Sequence, residues 1–174
     1  MKLAIVVGVS DYITQTKLSA CRNDAATMLA FLQGTKNYSD ICFLDFAITA
    51  SDAKKTITEF VQKYRSNPVS ELLFYFSGHG DRVGDDFFYA FSDYKEDRKE
   101  STGLRNTELD SLIRNLSPEL TVKIVDACYA GSAYIKSEDD IGPAVQKSAY
   151  SGYFSSPCEP VRCSSVPGFD GRSC

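Results

Sequence analysis

The feature that most constrains this chain is a regular alternation of short apolar runs with segments of helical periodicity. Apolar runs of strand length occupy residues 3–9, 41–48, 71–77 and 121–126, and a further short strand is predicted at 87–91. Between the long runs, apolar residues recur every three or four positions. Such strand–helix–strand alternation predicts an α/β fold with a mostly parallel sheet and helices on both faces, because parallel strands are joined by right-handed crossovers.

Capping and breaking residues mark the ends of the predicted helices. Gly34 is expected to end the first helix. Ser51 is expected to cap the second, which stops before Pro68. Asn106 or Thr107 is expected to cap the third. These signals define three helices between the four long strands.

Two candidate catalytic residues directly follow predicted strands. His79, the only histidine of the chain, lies in Ser77-Gly78-His79-Gly80 after the third long run, and Cys128 follows the fourth. The carboxyl ends of parallel strands share one edge, where catalytic groups gather. An imidazole beside a thiol can generate the nucleophilic thiolate. We therefore predict a Cys128–His79 dyad if the two strands are neighbours, whereas a structural histidine or a buried cysteine is the alternative for either residue alone.

The glycines beside His79 are compatible with a reacting site. Gly78 and Gly80 allow a sharp turn and the close approach of a substrate. The backbone N–H groups of Gly80 and Cys128 could together stabilise a developing oxyanion.

Composition narrows the class of protein. The 174 residues, 43% of them hydrophobic, suffice for one domain with a core, and a net charge of −4 gives no reason to expect nucleic-acid binding. No apolar stretch is long enough to span a bilayer, and the first run resembles a strand more than a signal peptide. We therefore expect no membrane association and a cytoplasmic protein whose six cysteines are reduced and hold no metal.

Three motifs in order resemble the caspase-like cysteine peptidases, in particular their metacaspase and bacterial branch. They are Leu-Leu-Phe-Tyr-Phe-Ser-Gly-His79-Gly, Val-Lys-Ile-Val-Asp-Ala-Cys128-Tyr-Ala-Gly and, on the first helix, Leu18-Ser-Ala-Cys21-Arg-Asn-Asp24-Ala. The resemblance implies a caspase-type three-layer sandwich and peptide-bond hydrolysis without a cofactor. Cys128 would attack the scissile carbonyl, and His79 would protonate the leaving amine.

The same resemblance implies a pocket for the substrate residue that precedes the cleaved bond. The matching positions here are Cys21, Asp24, Ser77 and Asp126. Two carboxylates in such a pocket favour Arg or Lys, so we predict an endopeptidase acting on peptides or proteins after a basic residue. The alternatives are that Asp24 interacts with its helix dipole and that Asp126 caps backbone amides.

Calcium activation, which many metacaspases have, is left open and is not predicted. Asp85, Asp86, Asp93 and Glu96-Asp97 lie in roughly the corresponding region, and their oxygens suit calcium. We favour a solvated acidic loop, because the loop after His79 is short for the family.

The end of the chain departs from the family pattern. We assign residues 1–150 to a large-subunit catalytic domain and 151–174 to an irregular tail rich in Ser, Pro, Gly and Cys. Prolines discourage further strands, so we expect the C-terminal strands of the sheet to be missing or incomplete. A partner chain or a second copy could complete the exposed edge. The alternative function is a catalytically weak or inactive module that acts through protein–protein contacts.

Overall fold

The computed structural model describes residues 1–127, which form two sheets and four helices. In chain order the elements are β1 (Lys2–Gly8), α1 (Ser19–Thr35), β2 (Asp40–Leu44), α2 (Ala50–Tyr64), β3 (Glu71–Ser77), β4 (Gly80–Val83), β5 (Asp86–Ala90), α3 (Lys99–Thr102), β6 (Gly103–Arg105), α4 (Asn106–Arg114) and β7 (Leu120–Asp126). A single 3₁₀ turn, Glu96–Arg98, precedes α3.

The main sheet is parallel throughout, with strand order β2-β1-β3-β7. Side chains of β1 alternate between its faces, so that Leu3, Ile5 and Val7 join one core cluster and Ala4 and Val6 join the other. Both faces of this central strand are therefore buried, which explains why its sequence is apolar without interruption.

Helices cover both faces of the main sheet, as predicted. On one face α2 and α4 contribute buried side chains that include Ile57 and Ile113. On the other face α1 contributes Ala25 and Leu32. The three-layer α/β architecture is thus confirmed. Within residues 1–127, no helix combines the length and the apolar character that crossing a bilayer requires.

A second, antiparallel sheet was only partly predicted. Its order is β4-β5-β6, and only β5 corresponds to a predicted strand, displaced by one residue from 87–91. The β4 sequence, Gly-Asp-Arg-Val, lacks the apolar alternation that signals a strand. Gly84, at φ +60°, turns the chain between β4 and β5.

Two predicted boundaries in the first half of the chain are wrong. Strand β2 ends at Leu44 and does not continue to residue 48, because the Asp45 side chain accepts a hydrogen bond from the next backbone N–H and begins a turn. The N-cap of α2 is Thr49, whose hydroxyl accepts from the Asp52 N–H at 3.2 Å; Ser51 lies inside the helix.

The C-terminus of α1 and the N-terminus of α4, the third helix predicted from the sequence, also differ from expectation. Gly34 lies within α1, and the left-handed C-cap residue is Lys36, at φ 54°. Helix α4 begins at Asn106 and has no side-chain cap from its own N-cap residue. The Thr107 N–H instead donates to the Asp86 carboxylate at 3.4 Å, so the helix start is satisfied from β5.

Candidate active site

Strands β3 and β7 end side by side at the carboxyl edge of the sheet. Ser77 lies opposite Asp126 in the parallel register, and the Gly78 N–H donates to the Asp126 carbonyl at 3.2 Å. The two strands that precede His79 and Cys128 are therefore neighbours. Cys128 itself lies outside the described residues, one position after their end.

The imidazole of His79 is oriented by a backbone carbonyl. Its Nε2 atom lies 2.8 Å from the Thr16 carbonyl oxygen. Because a carbonyl oxygen can only accept, Nε2 must bear the proton, and Nδ1 is the nitrogen left to exchange a proton with another group. This arrangement suits an acid/base residue that acts through Nδ1.

The backbone of His79 is held by a second residue from the segment before α1. The His79 N–H donates to the Tyr12 hydroxyl at 2.8 Å, and that hydroxyl donates to the Ala90 carbonyl at 3.3 Å. The Tyr12 ring also meets the imidazole edge to face, with centroids 4.6 Å apart. Burial raises the pKa of Tyr12, so it remains a neutral hydrogen-bond donor. Neither Tyr12 nor Thr16 was predicted, since no motif links them to a histidine so distant in sequence.

The β4–β5 ladder determines where the Gly80 N–H points. Ala90 donates its N–H to the His79 carbonyl at 3.1 Å, which makes these two residues a hydrogen-bonded pair. Gly80 and Tyr89 form the next pair of the antiparallel register, which is a non-hydrogen-bonded pair. At such positions the N–H points away from the partner strand, so that of Gly80 is not engaged by β5.

Three of the predicted pocket residues lie on α1 and β3 next to this edge. The Ser77 hydroxyl donates to the Asp24 carboxylate at 3.4 Å. Burial raises the pKa of the Cys21 thiol; the charges of Asp24 and Asp126 raise it further, while a side-chain hydrogen bond with Ser77 lowers it. The structure therefore brings Cys21, Asp24, Ser77 and Asp126 into one neighbourhood.

Tyr75, which the sequence interpretation assigned only to the core, lines a surface depression that shares Asp24 with the predicted pocket. An open depression of about 370 Å³ is lined by Asp24, Thr27, Met28, Phe31 and Tyr75. Burial, followed by the charge of Asp24, raises the pKa of Tyr75 to about 12. The signal that could have revealed it is the period of two along β3, which places Tyr75 on the same face as Ser77.

Three of the acidic residues considered for calcium have protein partners. Asp93 accepts from the Ala50 N–H at 2.9 Å at the start of α2, and Asp86 accepts from the Thr107 hydroxyl at 2.6 Å. Asp85 pairs with Arg82. Among residues 1–127, no group of three or more His, Cys, Asp or Glu side chains is arranged to hold a metal ion.

The fold and the arrangement of the candidate site agree with the family that the sequence matches. Residues 1–163 match the caspase domain family, and the chain belongs to it. Metacaspase-2 of Arabidopsis thaliana is 29% identical over 145 residues, a match that covers 75% of this chain and 35% of that protein. The chain thus spans about a third of the curated relative.

Solved structures agree on the fold. A protein from Geobacter sulfurreducens is similar with a TM-score of 0.54 at 18% identity, over 75% of this chain and 52% of that one. The Drosophila initiator caspase Dronc is similar with a TM-score of 0.55 at 14% identity, over 71% of this chain and 47% of that one. At these identities the likeness establishes a caspase-type fold.

Proposed function

We propose that this chain provides the catalytic part of a cysteine endopeptidase in which Cys128 is the nucleophile and His79 the general acid/base. The observation that carries the proposal is the register of β3 with β7. His79 and Cys128 each lie two positions beyond the opposed pair Ser77 and Asp126. Neighbouring strands are about 4.8 Å apart, so this equal spacing supports the proposal that the two residues act at one site.

The orientation of His79 supports a defined sequence of proton transfers. The Cys128 thiolate attacks the scissile carbonyl carbon, and the C–N bond breaks as protonated Nδ1 gives its proton to the departing amine. A water molecule then attacks the thioester carbonyl, and Nδ1 takes up a proton from that water. The acid product leaves with the thiolate restored. Thr16 holds Nε2 throughout, so only Nδ1 exchanges protons.

The oxyanion of each tetrahedral intermediate would be stabilised by backbone N–H groups. The Gly80 N–H, which points away from β5, and the Cys128 N–H are the proposed donors. This chemistry needs no cofactor. Measuring activity with added calcium and with a chelator tests separately whether calcium activates the enzyme, a question that the sequence leaves open.

The proposed substrate is a peptide or protein with Arg or Lys before the cleaved bond. Asp24 and Asp126 supply negative charge near Cys21 and Ser77. A guanidinium or ammonium group would pair with these carboxylates, whereas an acidic side chain would be repelled.

The decisive experiment compares peptide substrates that differ only in the residue before the scissile bond. We expect cleavage after Arg and Lys, none after Asp, and no activity in Cys128→Ala or His79→Ala. Asp24→Asn should reduce kcat/KM for Arg substrates by about 10- to 100-fold, equivalent to one charge-assisted contact. The matched control is Glu59→Gln, which removes the same charge from the exposed face of α2. Preferential cleavage after Asp would overturn the proposed specificity.

The outer edge of β7 favours pairing with a further strand. Among the described residues, β7 pairs only with β3, so its other edge has no partner strand there. We propose that later residues of the chain, a partner chain or a second copy pairs with this edge, and that activity depends on it. Light scattering combined with the peptide assay tests this, because a fully active monomer excludes a requirement for a second chain.

A reducing, cytoplasmic location remains our proposal for this protein. Cys21 and Cys42, which lie in the described part, are both free thiols. Fractionation of cells that express the chain with an epitope tag tests the location, and recovery from the medium would contradict it.

A further inference from the structure

We infer that Tyr12 is a positioning residue for His79, and that its hydroxyl fixes the histidine for proton transfer through Nδ1. The kinetic part of this inference rests on the proposed function. The structural part, that the Tyr12 hydroxyl keeps the imidazole in position against the Thr16 carbonyl, can be tested without any activity.

The Tyr12 hydroxyl occupies a place that a backbone hydrogen bond normally fills. In a hydrogen-bonded antiparallel pair, the two residues exchange both of their N–H···O bonds. Ala90 gives its N–H to the His79 carbonyl at 3.1 Å, but the His79 N–H goes to the Tyr12 hydroxyl at 2.8 Å. The hydroxyl completes the link by donating to the Ala90 carbonyl at 3.3 Å. It thus replaces one of the two backbone hydrogen bonds of the His79–Ala90 pair, which lies immediately before the β4–β5 ladder.

The absence of a side chain at residue 78 makes room for this hydroxyl. A Cβ atom added to Gly78 would lie 2.8 Å from the Tyr12 hydroxyl oxygen and 2.9 Å from Cζ of Phe76. Both distances are shorter than van der Waals contact, so any larger residue would displace the tyrosine or the phenylalanine. Gly78 therefore serves the close approach of Tyr12 as well as the turn after β3.

The segment that contains Tyr12 and Thr16 is itself firmly attached. Ile13 donates its N–H to the Ser92 carbonyl at 2.8 Å, and the Thr14 hydroxyl donates to the Tyr94 carbonyl at 2.8 Å. These bonds tie the segment to the chain that follows β5. Tyr12 and Thr16 consequently hold the backbone and the ring of His79 from one fixed support.

This geometry gives the two contacts different tasks. Thr16 determines which ring nitrogen bears the proton, and Tyr12 fixes the main chain from which the ring projects. The edge-to-face contact at 4.6 Å limits rotation of the imidazole. Without the hydroxyl, the His79 main chain would lose its anchor, and Nε2 would move relative to Thr16.

The test is Tyr12→Phe, which removes the hydroxyl and keeps the ring. We expect kcat to fall about 10- to 100-fold with KM nearly unchanged, the size of effect that a small misplacement of a catalytic group produces. The matched control is Tyr38→Phe. It removes a hydroxyl that donates to Glu71 at 2.6 Å, at the opposite end of β3, and it should behave as wild type.

A spectroscopic measurement separates positioning from general destabilisation. Since the chain has one histidine, ¹⁵N-labelled protein gives a single set of imidazole signals. Wild type and Tyr38→Phe should show the neutral ring protonated at Nε2, and Tyr12→Phe should show a mixture of both tautomers. Unchanged kcat and a single Nε2-protonated tautomer in Tyr12→Phe would overturn the inference.

Two further outcomes remain informative. If wild type cleaves no peptide, the proposed function fails, and the tautomer of Tyr12→Phe alone decides the inference. If Tyr12→Phe does not fold, Gly78→Ala tests the same contact, because its added Cβ would lie 2.8 Å from the hydroxyl oxygen. A wild-type tautomer in that variant, with the displacement of Tyr12 confirmed by a change in its own ring signals, would refute the role of Tyr12.

Discussion

The close packing of β1 against α1 gives a prediction whose size follows from the structure. A Cβ atom at Gly8 would lie 2.3 Å from Cβ of Ala25 and 2.9 Å from the Cys21 carbonyl oxygen. Carbon atoms pack at about 3.5–4.0 Å, so α1 would have to move away by more than about 1 Å. Ala25 is fully buried, and no flexible side-chain end can yield in its place. We expect Gly8→Ala to lower the free energy of unfolding by about 1–3 kcal/mol, the range of core overpacking.

Urea and thermal unfolding, followed by circular dichroism, measure this effect. A loss of 1–3 kcal/mol corresponds to a decrease in Tm of roughly 2–12 °C for a chain of this size. Gly34→Ala is the matched control, because it lies in α1 with nothing within 4 Å of the added atom and should gain about 0.5–1 kcal/mol. A Gly8→Ala protein as stable as wild type, beside a stabilised Gly34→Ala, would refute the reasoning.

Three further predictions each concern a single side chain. Burial raises the pKa of Asp81, but the hydrogen bonds from Lys99, Tyr94 and the Arg82 N–H together outweigh it and hold the pKa below its ordinary 3.8. This stabilisation is complete above that pH and is lost as the pH falls below it, so Asp81→Asn should reduce stability by about 1.5 kcal/mol at pH 7 and by less near pH 3, measured by urea unfolding. Asp93→Ala removes the acceptor for the Ala50 N–H and should lower the free energy of unfolding by about 0.5–2 kcal/mol in urea, whereas unchanged stability would contradict this. Burial raises the pKa of Cys42 from 9.0 to about 11, so at neutral pH its alkylation in the native protein, read by peptide mass spectrometry, should be at least about 100-fold slower than in urea; equal rates would contradict this.

The main sheet was predictable because its central strands have apolar residues on both faces. For β3 even the bounds, Glu71–Ser77, agree with the prediction. The second sheet was harder to predict from the sequence. Strands β4 and β6 are short and have few apolar residues, so they form mainly because β5 lies between them. Their signal lies in tertiary pairing and not in local periodicity.

The candidate site shows a similar division. His79, Asp24 and Ser77 were identifiable because each stands in a local motif at a strand end or on the first helix. Tyr12 was not, because its bond to His79 joins residues 67 positions apart. Local patterns indicate chemically reactive groups, whereas the residues that orient them are determined by long-range packing.

Two residues at and just after the end of β1, Gly8 and Tyr12, affect the site, and they should affect it differently. Gly8 sets how closely α1 approaches the sheet, and therefore where Asp24 lies relative to Ser77. Tyr12 sets the main chain of His79 through its hydroxyl. Gly8→Ala should accordingly raise KM for Arg substrates, and Tyr12→Phe should lower kcat. If both substitutions changed the same kinetic constant by the same factor, the pocket and the histidine would have to be coupled through a common movement of the β1–α1 segment.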